Sequence, residues 1–335
     1  MRKKKQNAAL HSYMNAIIGK LKTDGKYPAV HTYTATLNSL TACSEEQRRG
    51  MSIGEVFTVA RLKEYQDWLR GRKAAWNTVS TYMRTLKAVY NRAVNDRLTE
   101  FTPSLFDDVY TGVESQTKRA LTQRQAQTIL DTDIETLPPD VQCTYACFAL
   151  MILLRGMPFI DLAHLRKQDL RGNLIVYCRH KTGRQIVVRI TPNAGRLLEK
   201  FRQKIPESGY LFPILNDKTK DGKELHKHYL CALRTFNRKL AKLAKILLPE
   251  GKLSSYTPRH TWATLAFHRG INIGIISKAL GHSSIKVTET YLKPFENEKV
   301  DVENEKLIAF ILKGKNEVLP VSYTHLRAHE TLRHL

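Results

Sequence analysis

Apolar residues recur at helical spacing along most of the chain. Leu10, Met14, Ile17, Ile18 and Leu21 fall three or four apart and predict a helix over 7–24, with Lys20 and Lys22 outside. Gly25-Lys-Tyr-Pro28 predicts a break, and a second helix is expected over 29–42. Val59, Leu62, Tyr65 and Leu69 mark a third over 58–69. Asn77 suits the N-cap of a fourth over 78–97, which would bury Met83, Leu86, Val89, Tyr90 and Ala93. Its other face carries Thr78, Thr81, Arg84, Lys87 and Arg92. The stretch 106–119 is polar and turn-rich and reads as a linker. Thr122 then caps a helix to 131, and 141–154 is apolar almost all round, as a buried central helix would be. Gly156 and Pro158 end it and open a short helix through Leu165. The period changes to that of a strand in one region. Residues 173–178 and 184–190 are β-branched runs, joined by Arg179-His-Lys-Thr-Gly183 as a hairpin tip. Helices are predicted again over 192–204, 223–248, 257–269, 273–281, 285–292 and 298–312.

The pattern predicts a mainly α chain. A helical domain occupies 1–105 and a linker 106–119; a mixed α/β domain with a small antiparallel sheet occupies 120–316. The tail 317–335 breaks in composition and is expected to be non-native. Its His325 and His329 lie one turn apart, but no further ligands gather near them in sequence, so no metal site is assigned.

Charge sharpens this picture. There are 54 Lys and Arg against 31 Asp and Glu, a formal excess of +23. Such an excess repels itself unless a polyanion balances it, and nucleic acid is the first candidate. Arg84 and Lys87 on the fourth helix, and Arg234 and Arg238 on 223–248, could follow a phosphate backbone. A solvated basic face is the competing reading of both helices. The apolar run from Tyr145 to Leu154 falls far short of the ~20 residues that span a membrane. Met1-Arg-Lys-Lys-Lys5 lacks the apolar core of a signal peptide, and the five cysteines form no CxxC pair. A reduced, cytoplasmic, nucleoid-associated protein is expected, with no membrane partner.

The richest chemistry lies between 254 and 292. Arg259, His282 and Tyr291 follow one another at spacings of 23 and 9. A phenol with a pKa of ~10 is a poor nucleophile on its own. Attack on a phosphodiester builds negative charge on the non-bridging oxygens, and preorganised guanidinium and imidazole donors answer that need. A lysine at a hairpin tip, Lys181, could protonate the leaving 5′-oxygen. The scheme calls for no metal and no cofactor.

Lys181, Arg259, His282 and Tyr291 resemble the catalytic set of the tyrosine recombinases, or phage-type integrases. Arg259-His-Thr-Trp-Ala-Thr264 and Leu280-Gly-His282 resemble the most specific signature of that family. Asn77 to Arg84 with Val89 to Ala93 looks like the last helices of its core-binding, SAM-like domain. The resemblance spans nearly all of 7–312 and is closest to short Bacteroides-type integrases and invertases, where Arg155-Gly-Met-Pro-Phe-Ile-Asp161 is also at home. It implies a C-shaped clamp on double-stranded DNA and a homotetramer on two sites. It also implies a 3′-phosphotyrosyl intermediate and a Holliday junction, with accessory DNA-bending proteins as compatible partners. The helix 298–312 would then pack on a neighbouring protomer. With no room seen before residue 7 for an arm-type DNA-binding domain, a simple recombinase or short integrase is expected. Two positions depart from the family pattern. Tyr256 stands three residues before Arg259, where the family has histidine; it is kept in the catalytic set as a phenol that can hold a hydrogen bond but is the weaker base. Pro158 stands three residues before Asp161, where the first arginine is expected. Arg155 is taken as that arginine in preference to a lost first arginine, with Arg166 in reserve, and Asp161 either braces the cluster or caps or pairs at the surface. Two alternatives remain open: relaxation of DNA in the manner of a type IB topoisomerase, and a DNA-binding protein of impaired catalysis.

Overall fold

The computed structural model describes residues 9–46, 48, 50–113, 119–217, 222–292 and 297–312. The tail beyond 312, with His325 and His329, lies outside them. The first domain contains α1 (Leu10–Thr23), α2 (Tyr27–Glu46), the one-turn α3 (Ile53–Val56), α4 (Val59–Gly71) and α5 (Trp76–Asn95). Pro28 does not break the chain; it lies in the first turn of α2, where a missing N–H costs nothing. Asn77 is not the cap of α5, which starts a residue earlier behind Ala75. The short α3 lacked a periodic signal, but Ser52 and Glu55 form a capping box around it. The predicted stripes of α1, α4 and α5 share one core, except Val59 at the first position of α4, which is 41% exposed. Leu105, Phe106 and Val109 join that core, so the start of the predicted linker belongs to the first domain.

The second domain wraps around α7. It begins with α6 (Gln123–Leu130), capped by Thr122, followed by α7 (Pro139–Leu153) and the short α8 (Phe159–His164). Every residue of α7 from Thr144 to Ile152 is buried, as its uniform apolarity requires. Then comes an antiparallel sheet, β1 (Leu170–Arg171), β2 (Leu174–Cys178) and β3 (Gln185–Arg189), in the order β1-β2-β3. Cys178 pairs with Gln185 and leaves the predicted tip between them; β1 is a two-residue strand too short to show a period. Pairs such as Tyr177 and Ile186 point inward and alternate with exposed neighbours. Helices α9 (Pro192–Phe201) and α10 (Gly222–Leu247) pack on α7. They are followed by α11 (Thr257–His268), α12 (Ile273–Leu280), α13 (Ile285–Glu289) and α14 (Asn297–Leu312). No described helix is long and apolar enough to cross a membrane.

Two glycines set the entry to the site. Gly156 has φ +67°, and a Cβ there would meet the Cα of Arg259 at 3.0 Å. Gly281 has φ +66°, and a Cβ there would stand 2.8 Å from Ile186 and 3.1 Å from Cδ of Arg179. Both places need the left-handed backbone and the absent side chain that only glycine combines without strain.

Candidate active site

Helix α11 carries Arg259 into the interior, where it is 3% exposed. Its Nη1 donates to Gly156 O at 3.0 Å. Its Nη2 donates to Leu280 O at 2.6 Å and lies 2.8 Å from Nε2 of His282. An arginine nitrogen cannot accept, so Nε2 is the acceptor and the proton of His282 sits on Nδ1. Nδ1 then donates to Oγ1 of Thr288, which is fully buried, at 2.9 Å. Burial, and then the charges of Arg259, Arg179 and Lys181, push the imidazole down from its ordinary 6.5 to about 4. It is neutral at physiological pH. Burial also lowers Arg259, followed by the charge of Arg179, to about 10, which keeps it protonated there.

Tyr291 lies against this pair. Its ring stacks on His282 with centroids 5.1 Å apart, and the Arg259 guanidinium carbon is 5.4 Å from its centroid. Its carbonyl is held to α11 by Thr264 at 3.2 Å and by Nδ1 of His260 at 3.3 Å. The ring of His260 is 4.8 Å from that of Tyr291. Lys181 is exposed at the hairpin tip beside the imidazole that it helps to depress. Asp161 is buried, accepts from Nε of Arg179 at 3.0 Å, and accepts from the His180 N–H at 2.9 Å. It braces the base of the hairpin and is not a surface pair.

Three of the expected residues stand apart from the arginine–histidine pair. Arg155 follows the end of α7 in the left-handed region, φ 62°, directly before left-handed Gly156. That turn sends its guanidinium to Val187 O on β3, at 3.2 Å, with no hydrogen bond to Arg259 or His282. Arg166, the reserve, pairs with Asp217 and lies 3.6 Å over the Tyr210 ring. Tyr256 precedes α11 as its N-cap, is 57% exposed, and hydrogen-bonds none of the cluster. Sequence reasoning missed Arg179, Arg184 and Thr288. Arg184 Nη1 donates to His282 O, so two arginines flanking the tip both reach the turn that holds His282. Their symmetric placement around His-Lys-Thr-Gly was the available signal.

The exposed face of α5 presents Thr78, Arg84 and Lys87, while Thr81 turns its hydroxyl back to Asn77 O. Arg234 and Arg238 are exposed on α10. A cavity of about 990 Å³ between α6, α7 and α9, lined by Gln127, Tyr145 and Leu197, contains none of the cluster.

A helical domain joined to a domain with a buried arginine–histidine pair under a tyrosine is the arrangement of a tyrosine recombinase. The description "Phage integrase family" matches residues 119–298 and "Phage integrase SAM-like domain" matches 9–108, so this chain belongs to the phage integrase family. It is 29% identical over 157 residues to a tyrosine recombinase of Pseudothermotoga lettingae, covering 45% of this chain and 50% of that protein. It is 25% identical over 246 residues to tyrosine recombinase XerC of Rickettsia bellii, covering 70% of this chain and 75% of that one. The chain thus spans half the length of the first relative and three quarters of the second. The fold is shared with the Tn1549 transposon integrase in complex with a circular intermediate DNA, at TM-score 0.63 and 17% identity over 89% of this chain and 99% of that one. It is also shared with a lambda integrase tetramer bound to a Holliday junction, at TM-score 0.55 and 14% identity over 87% and 80%.

The titration of His282 gives a stability prediction. A histidine held neutral when folded takes up a proton on unfolding, so its contribution is complete above the ordinary 6.5 and is lost as pH falls toward about 4. Stability is expected to decline across that window, by up to ~1.4 kcal/mol per pH unit for this one group. Thermal melts of wild type and His282→Gln between pH 7.5 and 5 check it: the variant should show the shallower decline.

Proposed function

We propose that this protein is a site-specific DNA recombinase in which Tyr291 is the nucleophile. The observation that carries the reading is the phenol stacked on a neutral imidazole whose acceptor nitrogen is already held by a buried arginine. In the reaction the Tyr291 oxygen attacks the scissile phosphorus, forming a 3′-phosphotyrosyl bond and breaking the bond to the 5′-oxygen. Lys181 gives its proton to that oxygen. The phenolic proton passes to His282, whose Nε2 becomes free once Arg259 turns its Nη2 from the ring to the phosphate. Nε of Arg259 is enclosed with no acceptor among the described residues, and a phosphate oxygen would supply one. The released 5′-hydroxyl attacks the partner's phosphotyrosine, and a Holliday junction results.

The duplex runs between α5 and α10, with Arg84, Lys87, Arg234 and Arg238 on its phosphates. Four protomers hold two sites. The apolar residues of α14, among them Val302, Leu307 and Phe310, are exposed and available to a neighbouring protomer. Integration, excision and inversion all use this chemistry.

A nicked duplex that loses its 5′-hydroxyl fragment traps the adduct. Selection of such duplexes from a randomised library should yield a sequence to which wild type becomes covalently attached. Capture of none would sink the proposal. A plasmid carrying two copies of the captured site then separates recombination from relaxation.

A further inference from the structure

We propose that Arg179 supplies the second guanidinium of the phosphate grip, the part expected of Arg155. The proposal rests on the recombinase reading above. Arg179 follows β2 directly and is 7% exposed. Its Nη1 donates to Leu280 O at 2.6 Å, the same oxygen that receives Nη2 of Arg259 at 2.6 Å. The two nitrogens therefore lie no farther apart than twice that distance. Nε of Arg179 is taken by Asp161. Its Nη2 bonds nothing among the described residues, yet it is not one of the enclosed unpartnered atoms, so it keeps some exposure.

The charges do not close on themselves. Two buried guanidinium groups stand side by side, and among the described residues one carboxylate, Asp161, pairs with Arg179 while none pairs with Arg259. An uncompensated buried cation is costly, and an anion received between the two guanidiniums offsets that cost. A purely structural Arg179 would account for Nε and Nη1 but not for its closeness to a second cation. Arg179 is also among the groups that depress both Arg259 and His282, whereas Arg155 is among neither set. The fold is shaped for this placement. Gly281 lets the backbone before His282 lie on the Arg179 stem, where any Cβ would collide.

The test uses the captured nicked duplex in two forms, with an ordinary scissile phosphate and with a charge-neutral methylphosphonate. An arginine that balances phosphate charge is needed less when that charge is gone. Arg179→Ala should lose at least ~100-fold in cleavage of the phosphodiester and keep site binding. On the methylphosphonate it should come within a few-fold of wild type. Arg155→Ala should cleave the phosphodiester within a few-fold of wild type. Because Arg179→Ala strands Asp161 in the core, the pair Arg179→Gln with Asp161→Asn is measured beside it, with melting curves of both. An equal defect on both substrates would reduce Arg179 to a structural brace. Rescue of Arg155→Ala instead would return the role to Arg155. If wild type forms no Tyr291-dependent adduct, the recombinase reading itself fails, a result distinct from either.

Discussion

Tyr291→Phe should bind the captured site with unchanged affinity and form no covalent adduct. The substitution removes one oxygen and leaves the packing that holds the ring. His282 still has a ring to stack on, and the carbonyl of residue 291 still receives Thr264 and His260. No described tyrosine other than Tyr291 lies within ring contact of His282, so no second phenol can substitute. Binding by gel shift and adduct formation by denaturing gel check the two halves of the expectation. A persistent adduct in the variant would mean that the nucleophile lies elsewhere.

Arg259→Lys is expected to be the other severe variant. An ammonium keeps the charge but not the planar fork that reaches Gly156 O, Leu280 O and His282 at once. Loss of a preorganised donor at a developing oxyanion costs roughly 100- to 1,000-fold in rate. Here the loss extends further, because His282 no longer has its acceptor nitrogen fixed. Stability should also fall, by about 1–3 kcal/mol, since Gly156 O is left without a donor in the interior. Single-turnover cleavage and denaturant melts separate the effects: a rate loss far beyond what the melting change explains is the expected result. A variant within ten-fold of wild type would remove Arg259 from the chemistry.

Much of this fold could be read from the chain. The stripes of α1 and α5, most of that of α4, the apolar α7 and the period-two runs of β2 and β3 all rest on local spacing, which burial then obeyed. The misses came where tertiary packing decides. Leu105, Phe106 and Val109 are too sparse to show a period, yet the first core takes them in. In the site, the linear signature led to Arg259, His282 and Tyr291. It could not lead to Arg179, because that residue gains its meaning from Asp161 and Leu280, 18 and 101 positions away. Arg155 stands beside the motif in sequence, and a left-handed turn takes its guanidinium to Val187 O, a placement that spacing alone does not show.

The carbonyl of Leu280 terminates α12, where the partial negative charge of the helix gathers. It is the oxygen to which both guanidiniums donate. Asp161 balances Arg179, and this carbonyl is the shared acceptor that lets the second cation stand beside it. If the site works as proposed, loading the scissile phosphate exchanges one oxygen ligand of the arginines for another. A full phosphate charge then replaces the partial charge at a helix end.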